Sequence, residues 1–402
     1  MNTRLWISLV LTTCVLAATV SCNGEASSVP SSTTSIPPIS SIELPTTSTP
    51  IPPTAIPTES TNPPTTPIKP TTPTSSTTII PTFTPPVPTE PPRTEPNPAS
   101  DFTYTISVYG VNITGYKGPD GDVVIPDKIE GYGIASIGER AFAGCRNITR
   151  VTIPEGVVYI GGGAFSGCTY MVSITLPDSL TDIKGGAFSY CSSLTNVIIP
   201  RKVTDISGAF WNCTGLVSIT IPDNVTNIGA DAFSGCTNLA SITIPDGITH
   251  IAYSAFYQCT SLTSIVIPSS VTYIERNAFR DCVRLTSITI SNGVTNIGDS
   301  AFLQCSSLTN IIIPESVTQI GDWAFAGCEK LQTITVPDSV INIGKEAFGC
   351  LYAVITRSQG PGGTLPLRET TPYCGNPLVI CSPNSYAHQY CLDNNVRFQL
   401  TD

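Results

Sequence analysis

An alanine-phenylalanine pair recurs ten times in this chain, with the phenylalanines at 142, 165, 188, 210, 233, 256, 279, 302, 325 and 348. The step is 23 residues everywhere except between Phe188 and Phe210, where "ISGAF" at 206–210 is one residue shorter than "IGADAF" at 228–233. A period held this long constrains the fold more than any other feature. Each unit is too small to bury its own apolar face, so neighbouring units must stack into a solenoid with a cap at each end.

One unit, "LASITIPDGITHIAYSAFYQCTS" at 239–261, shows the internal layout. Its L-x-x-I-x-I segment alternates with period 2 and carries β-branched residues, which predicts a short strand. Proline then ends the strand, as at Pro245, Pro268 and Pro314, usually with an acidic residue next, as a turn requires. A second apolar pair leads into A-F-x-x-C, whose spacing suits a single helical turn facing inward. The expected fold is an α/β repeat solenoid of about ten 23-residue repeats, with strands stacked in parallel about 4.8 Å apart and short helical or turn segments between them.

Nine cysteines follow their phenylalanine by three residues: Cys145, Cys168, Cys191, Cys213, Cys236, Cys259, Cys282, Cys305 and Cys328; Cys350 follows by two. Stacked in one row, neighbours would lie about 5 Å apart, near enough for disulfides. Side chains in a row point the same way, however, which makes the disulfide torsion difficult. A metal needs converging ligands, commonly C-x-x-C pairs or histidines, and the repeats contain neither C-x-x-C nor any histidine but His250. The row is therefore read as structural packing by a small, weakly polar side chain, ahead of disulfides or metal.

Composition separates the chain into parts. Twenty-one of its 36 prolines fall between Pro30 and Pro98, in a stretch of Pro, Thr and Ser without cysteine. Such a segment cannot bury enough apolar surface to offset the entropy of ordering, and reads as an extended stalk over 22–100. In front of it, "MNTRLWISLVLTTCVLAATVSC" has the basic start, apolar run and small residues of a secretory signal over 1–21. Its end, "TVSC", resembles a bacterial lipobox, which would make Cys22 a lipidated N-terminus; Thr19 stands where that pattern usually has leucine, so ordinary cleavage near Ser21 stays open. The net charge of −10 offers no electrostatic footprint for nucleic acid. Membrane attachment is expected only through the N-terminal lipid, on an exported protein of the cell surface or outer envelope.

The unit L-x-x-I-x-I-P-x-x-V-T-x-I-G-x-x-A-F-x-x-C resembles the BspA-like leucine-rich repeat of bacterial and some protist surface proteins, over residues 123–350. The stretch 101–122 is similar to the family's N-terminal cap, and "SPNSYAHQYCLDNNVRFQL" at 382–400 resembles its closing helix and strand within a C-terminal cap over 351–402. Residues 351–381 depart from the pattern. An exported chain could hold one disulfide among Cys374, Cys381 and Cys391, with the pair left open. The resemblance implies an interaction or adhesion role, with partners among extracellular matrix proteins or other cell surfaces.

No nucleophile with a base, paired carboxylates, metal cluster or phosphate loop stands out, and His250 and His388 read as surface residues. The chain is read as non-enzymatic, without cofactor or metal. Outward strand positions carry hydroxyls, as in Ser173/Thr175, Ser218/Thr220, Ser241/Thr243 and Ser287/Thr289. Breaks in the pattern point to partner binding instead: Trp211 in the shortened turn, Trp323 in "GDWAF", and Arg276, Arg280 and Arg284 with Tyr253, Tyr257 and Tyr273 in adjoining turns. The leading expectation is a protein-binding module displayed on a stalk. The alternatives are a module for extracellular or envelope glycan and a passive surface spacer.

Overall fold

The structure, a computed structural model, describes residues 91–349, 351–354, 370–373 and 377–401. The secretory signal, Cys22, the Pro/Thr/Ser segment as far as residue 90, Cys350 and Cys374 lie outside the described residues. Over the repeats the chain forms a parallel-strand solenoid of about 11 turns, as the 23-residue period requires. Two of its three sides are parallel β-structure. On one side, Ser264–Ile267 pairs in register with Ser287–Ile290, and Asn310–Ile312 with Thr333–Thr335. On the next, two-residue strands at His250–Ile251, Tyr273–Ile274, Asn296–Ile297, Gln319–Ile320 and Asn342–Ile343 form one five-stranded sheet.

The third side corrects the expected helical turn. In the turn around Phe256, Ala255, Tyr257 and Cys259 donate their backbone N–H groups to carbonyls three residues back, those of Ala252, Ser254 and Phe256. The alternate amides of Ser254, Phe256 and Gln258 reach instead to the following turn, to the carbonyls of Arg276, Ala278 and Arg280. Left-handed residues two before and two after each row phenylalanine from Phe142 to Phe325 produce this alternation: Ser254 has φ +51° and Gln258 φ +57°, and the matching rows hold Gly163 at +61° and Gly167 at +75°. A helix needs consecutive right-handed residues bonded i to i−4, and two inversions within five residues forbid it.

Inside, the phenylalanines form one stack. Ring centroids of successive rings lie 4.8 Å apart at Phe142–Phe165 and up to 6.1 Å apart at Phe325–Phe348, with planes near parallel. Aromatic residues of the caps close both ends: Tyr116 stacks on Phe142 at 5.3 Å, and Tyr390 meets Phe348 edge-on at 5.6 Å while its hydroxyl accepts the Ala347 N–H. Beside the rings runs the thiol row. Each cysteine from Cys168 to Cys328 donates its Sγ–H to the phenylalanine carbonyl of the turn before, at 3.0–3.3 Å. That carbonyl also accepts the N–H of its own turn's cysteine, as in Cys145 N–H to Phe142 O, so both lone pairs are used. Burial pushes the thiols of Cys168, Cys213 and Cys328 up to about 12, which keeps them protonated and donating.

The caps follow from the same need to cover open edges. An antiparallel hairpin, Phe102–Ser107 with Gly110–Tyr116, lies against Tyr132–Ile137 of the first turn. Asn97, upstream of that hairpin, is buried against it: its backbone N–H donates to the Val124 carbonyl, its Oδ1 accepts the Val124 N–H, and its Nδ2 donates to Asp101. At the other end, Leu351–Val354 and Thr370–Tyr373 form an antiparallel pair inserted after the last phenylalanine, which accounts for the break in pattern there. The solenoid resumes with Leu378–Cys381 on Thr333–Thr335 and ends with Phe398–Leu400. Helix α1, Tyr386–Asp393, is capped by Ser385 and packs against Asn342–Ile343. Cys381 and Cys391 are buried free thiols, which removes a pairing between these two.

Candidate functional site

The outward rows of the first sheet separate two kinds of hydroxyl. Thr263, Thr286 and Thr309, which precede each strand, donate to the carbonyl of the turn before and so belong to the stacking. The outward hydroxyls at Ser218/Thr220 and Ser287/Thr289 within strands, and at Ser241/Thr243 in the matching positions of a turn without a strand, are exposed and make no hydrogen bond to the described residues. Into this row three aliphatic side chains intrude: Ile198 is 71 % exposed, Val266 61 % and Ile312 73 %. The sequence carries their signal, since "NVIIP", "SIVIP" and "NIIIP" place an aliphatic residue where alternation calls for a polar one.

Ile198 also begins a groove of about 970 Å³ that continues over Ile221 between Pro200 and Pro222. At its rim stand Arg201 and Lys202, both exposed and neither paired with a carboxylate among the described residues. Arg201 occupies the position that is acidic at Glu155, Asp178, Asp223, Asp246, Glu315 and Asp338. A single reversed charge in an acidic row on an acidic protein is a local attractor for a negatively charged partner.

The tryptophans and arginines are distributed over different edges. Trp211 is 41 % exposed and meets Tyr190 edge-on, ring centroids 5.0 Å apart, on the turn side of the solenoid. Trp323 is half-buried, and its indole N–H donates to Glu346 at 3.1 Å. Arg280 lies over the ring of Tyr257 at 5.8 Å and 3.7 Å from Asp281, whose carboxyl is held above its usual range chiefly by burial. Arg276 lines a separate groove with Tyr273, and Arg284 is exposed without an ion pair among the described residues. The Tyr253 backbone N–H donates to Glu275. The three arginines therefore do not converge on one point.

His250 occupies an outward position of the second sheet, and His388 lies on α1 against the ring of Phe398, accepting the Asn384 N–H at 3.0 Å. Among the described residues no three His, Cys, Asp or Glu side chains are grouped as metal ligands, and no helix is long and apolar enough to cross a membrane.

Stacked parallel strands with a phenylalanine row and a fixed period define a leucine-rich-repeat solenoid. Residues 123–240 and 226–354 match the family described as BspA type leucine rich repeat region (6 copies), and the chain belongs to that family. A leucine-rich repeat protein from Bacteroides ovatus is similar in structure, with 29% identity and a TM-score of 0.55 over 62% of this chain and 78% of its own. A leucine rich cell surface protein from Faecalibacterium prausnitzii shares 28% identity over 62% of this chain and 94% of its own, at a TM-score of 0.34. No curated protein matches the sequence.

Proposed function

We propose that the protein is exported, displayed at a cell surface on its Pro/Thr-rich segment through a lipid on Cys22, and binds an extracellular protein through the first-sheet face of its solenoid. The observation that carries this reading is the presence of Ile198, Val266 and Ile312, exposed aliphatic side chains in a row of unbonded hydroxyls. Apolar anchors surrounded by adaptable polar contacts are the composition of a protein-binding surface. The groove below Ile198, with Arg201 and Lys202 at its rim, gives that surface a pocket and a sign of charge. The secretory-type start and the composition of 22–100 support display away from a membrane, and the family supports a surface setting.

The full chain, applied to immobilised extracellular matrix proteins at low and physiological salt, is expected to give saturable binding that weakens with salt. Ile198→Glu is expected to weaken it roughly 30-fold, as loss of a central apolar anchor would. Absence of saturable binding, or binding indifferent to Ile198→Glu, contradicts the reading.

A further inference from the structure

The second sheet carries a different surface at its C-terminal end. Asn296, Gln319 and Asn342 stand in one outward row in paired register, with Tyr273, 51 % exposed, at its head. The row borders a shallow groove of about 490 Å³. Its floor is bare backbone at Gly298, Gly321 and Gly344, where the chain presses so closely on the turn before that a Cβ on Gly321 would lie 2.5 Å from the Asp299 N. Three successive glycines occur here alone among the described turns; earlier turns hold Gly138, Gly161 and Gly229 at the matching position, but Lys184, Ser207, Ala252 and Glu275 interrupt that run. Opposite the amides stand Asp299 and Asp322, each fixed by accepting a backbone N–H from the next turn, at 3.0 and 2.7 Å.

The chemistry left unused in this groove is specific. The Asn296 amide donates to Gln319 at 2.9 Å, which sets the two side by side and leaves the Gln319 NH₂ free. The Asn342 amide and the Tyr273 hydroxyl make no hydrogen bond to described residues. The backbone offers nothing, because Gly298, Gly321 and Gly344 already donate to Ile274, Ile297 and Ile320. An extended peptide seeking strand addition therefore finds no partner. Planar amides that donate and accept, beside carboxylates that accept and with an aromatic face at one end, suit vicinal hydroxyls on a sugar ring. Glu275, Asp299 and Asp322 outnumber Arg276 in the lining of the groove, and with the net charge of −10 they select against an anionic chain.

We propose that this groove binds a neutral linear polysaccharide laid along the stacking direction, one sugar unit to each turn. The phenylalanine ring centroids behind the groove repeat every 5.2–5.3 Å from Phe279 to Phe325, and stacked strands repeat about every 4.8 Å, near the advance of one pyranose in an extended chain. Tyr273, Asn296, Gln319 and Asn342 supply four such steps.

Calorimetric titration of the full chain with neutral β-linked oligosaccharides of glucose, N-acetylglucosamine and mannose, from disaccharide to hexasaccharide, tests this. At least one series is expected to gain roughly fivefold in affinity with each added unit and to level off at about the tetrasaccharide. Gln319→Ala and Asn342→Ala, both at exposed positions, are each expected to lose roughly fivefold for the tetrasaccharide with unchanged thermal unfolding; Ile198→Glu is expected to lose nothing. Silence in all three series, affinity independent of length, preference for a polyuronate, or indifference to both alanine variants overturns the proposal.

Discussion

The turns from His250 to Ile343 and the turn that closes at Phe210 are written in the same repeat, yet they differ in how they meet their neighbours. In the turns from Tyr273 onward, the residue after each second-strand isoleucine donates its N–H to the turn before, as Glu275 does to Ile251, Gly298 to Ile274 and Gly321 to Ile297. In the turn with one residue fewer, the corresponding Ser207 N–H turns to the Asp205 carboxylate instead. The second sheet is interrupted between Ile183 and His250, across this turn and the one after it, with a single bridge between Asp205 and Asn227. The interior does not register the loss: Phe188 and Phe210 remain stacked at 5.3 Å, and Cys213 Sγ lies 3.0 Å from the Phe188 carbonyl. The phenylalanine and cysteine rows are thus the fixed part of the fold, and irregularity is absorbed outside them. Ile198, Arg201, Tyr190 and Trp211 all gather around that irregular turn.

The largest expected effect tests whether the interior is the same in both regions. Phe256→Ala and Phe210→Ala should each destabilise the protein by about 3–5 kcal/mol in chemical denaturation, the cost of emptying a large aromatic site. A much smaller value at Phe210 would mean that the shortened turn is held by something other than the stack.

The thiol row gives a pH dependence of definite sign. Burial raises the folded thiols of Cys168, Cys213 and Cys328 to about 12 from an ordinary 9.0, so the unfolded chain loses protons first. Their stabilising share is complete below pH 9 and is lost as pH rises toward 12, at about 1.4 kcal/mol per pH unit for each thiol. Denaturation midpoints between pH 8 and 11 should therefore fall, and Cys213→Ala or Cys328→Ala should flatten the slope by one thiol's share each. A slope unchanged by either substitution would contradict buried protonated thiols.

Smaller effects lie at the surface. Trp323→Phe removes the indole bond to Glu346 and is expected to cost about 1 kcal/mol in thermal unfolding. One glycine inserted between Ser207 and Gly208 should slow amide exchange at Ser207, whose N–H now turns to the Asp205 carboxylate, while barely moving the unfolding midpoint. Exchange that stays fast would show that chain length is not what interrupts the sheet.

How much of this was legible depends on which residues a contact repeats through. The period, the parallel strands and the capped ends could be read because every turn needs the same leucine, isoleucine and phenylalanine in the same places. The A-F-x-x-C segment misleads because three-residue spacing belongs equally to a helical turn and to a pair of left-handed turns. Gly163 and Gly186 hint at the second, whereas Ser254 and Gln258 in the same rows do not. Arg276, Arg280 and Arg284, read together from their spacing of four, go to separate surroundings, since left-handed Asn277 and Asp281 lie between them. Ile198 and Ile312 could be found by broken alternation, but which hydroxyls around them are already bonded depends on contacts between turns. The amide row at Asn296, Gln319 and Asn342 hides in positions that look freely variable within one repeat.

The central claim is that interior rows set stability while outward departures set recognition. Its most direct test compares two variants of the full chain, Phe256→Ala and Ile198→Glu/Val266→Glu/Ile312→Glu, by denaturation midpoint and by binding to the matrix protein that wild type engages. The account predicts a lowered midpoint with normal binding by the folded fraction for the first, and lost binding at an unchanged midpoint for the second. If stability and binding move together in both variants, the division between interior and face is contradicted.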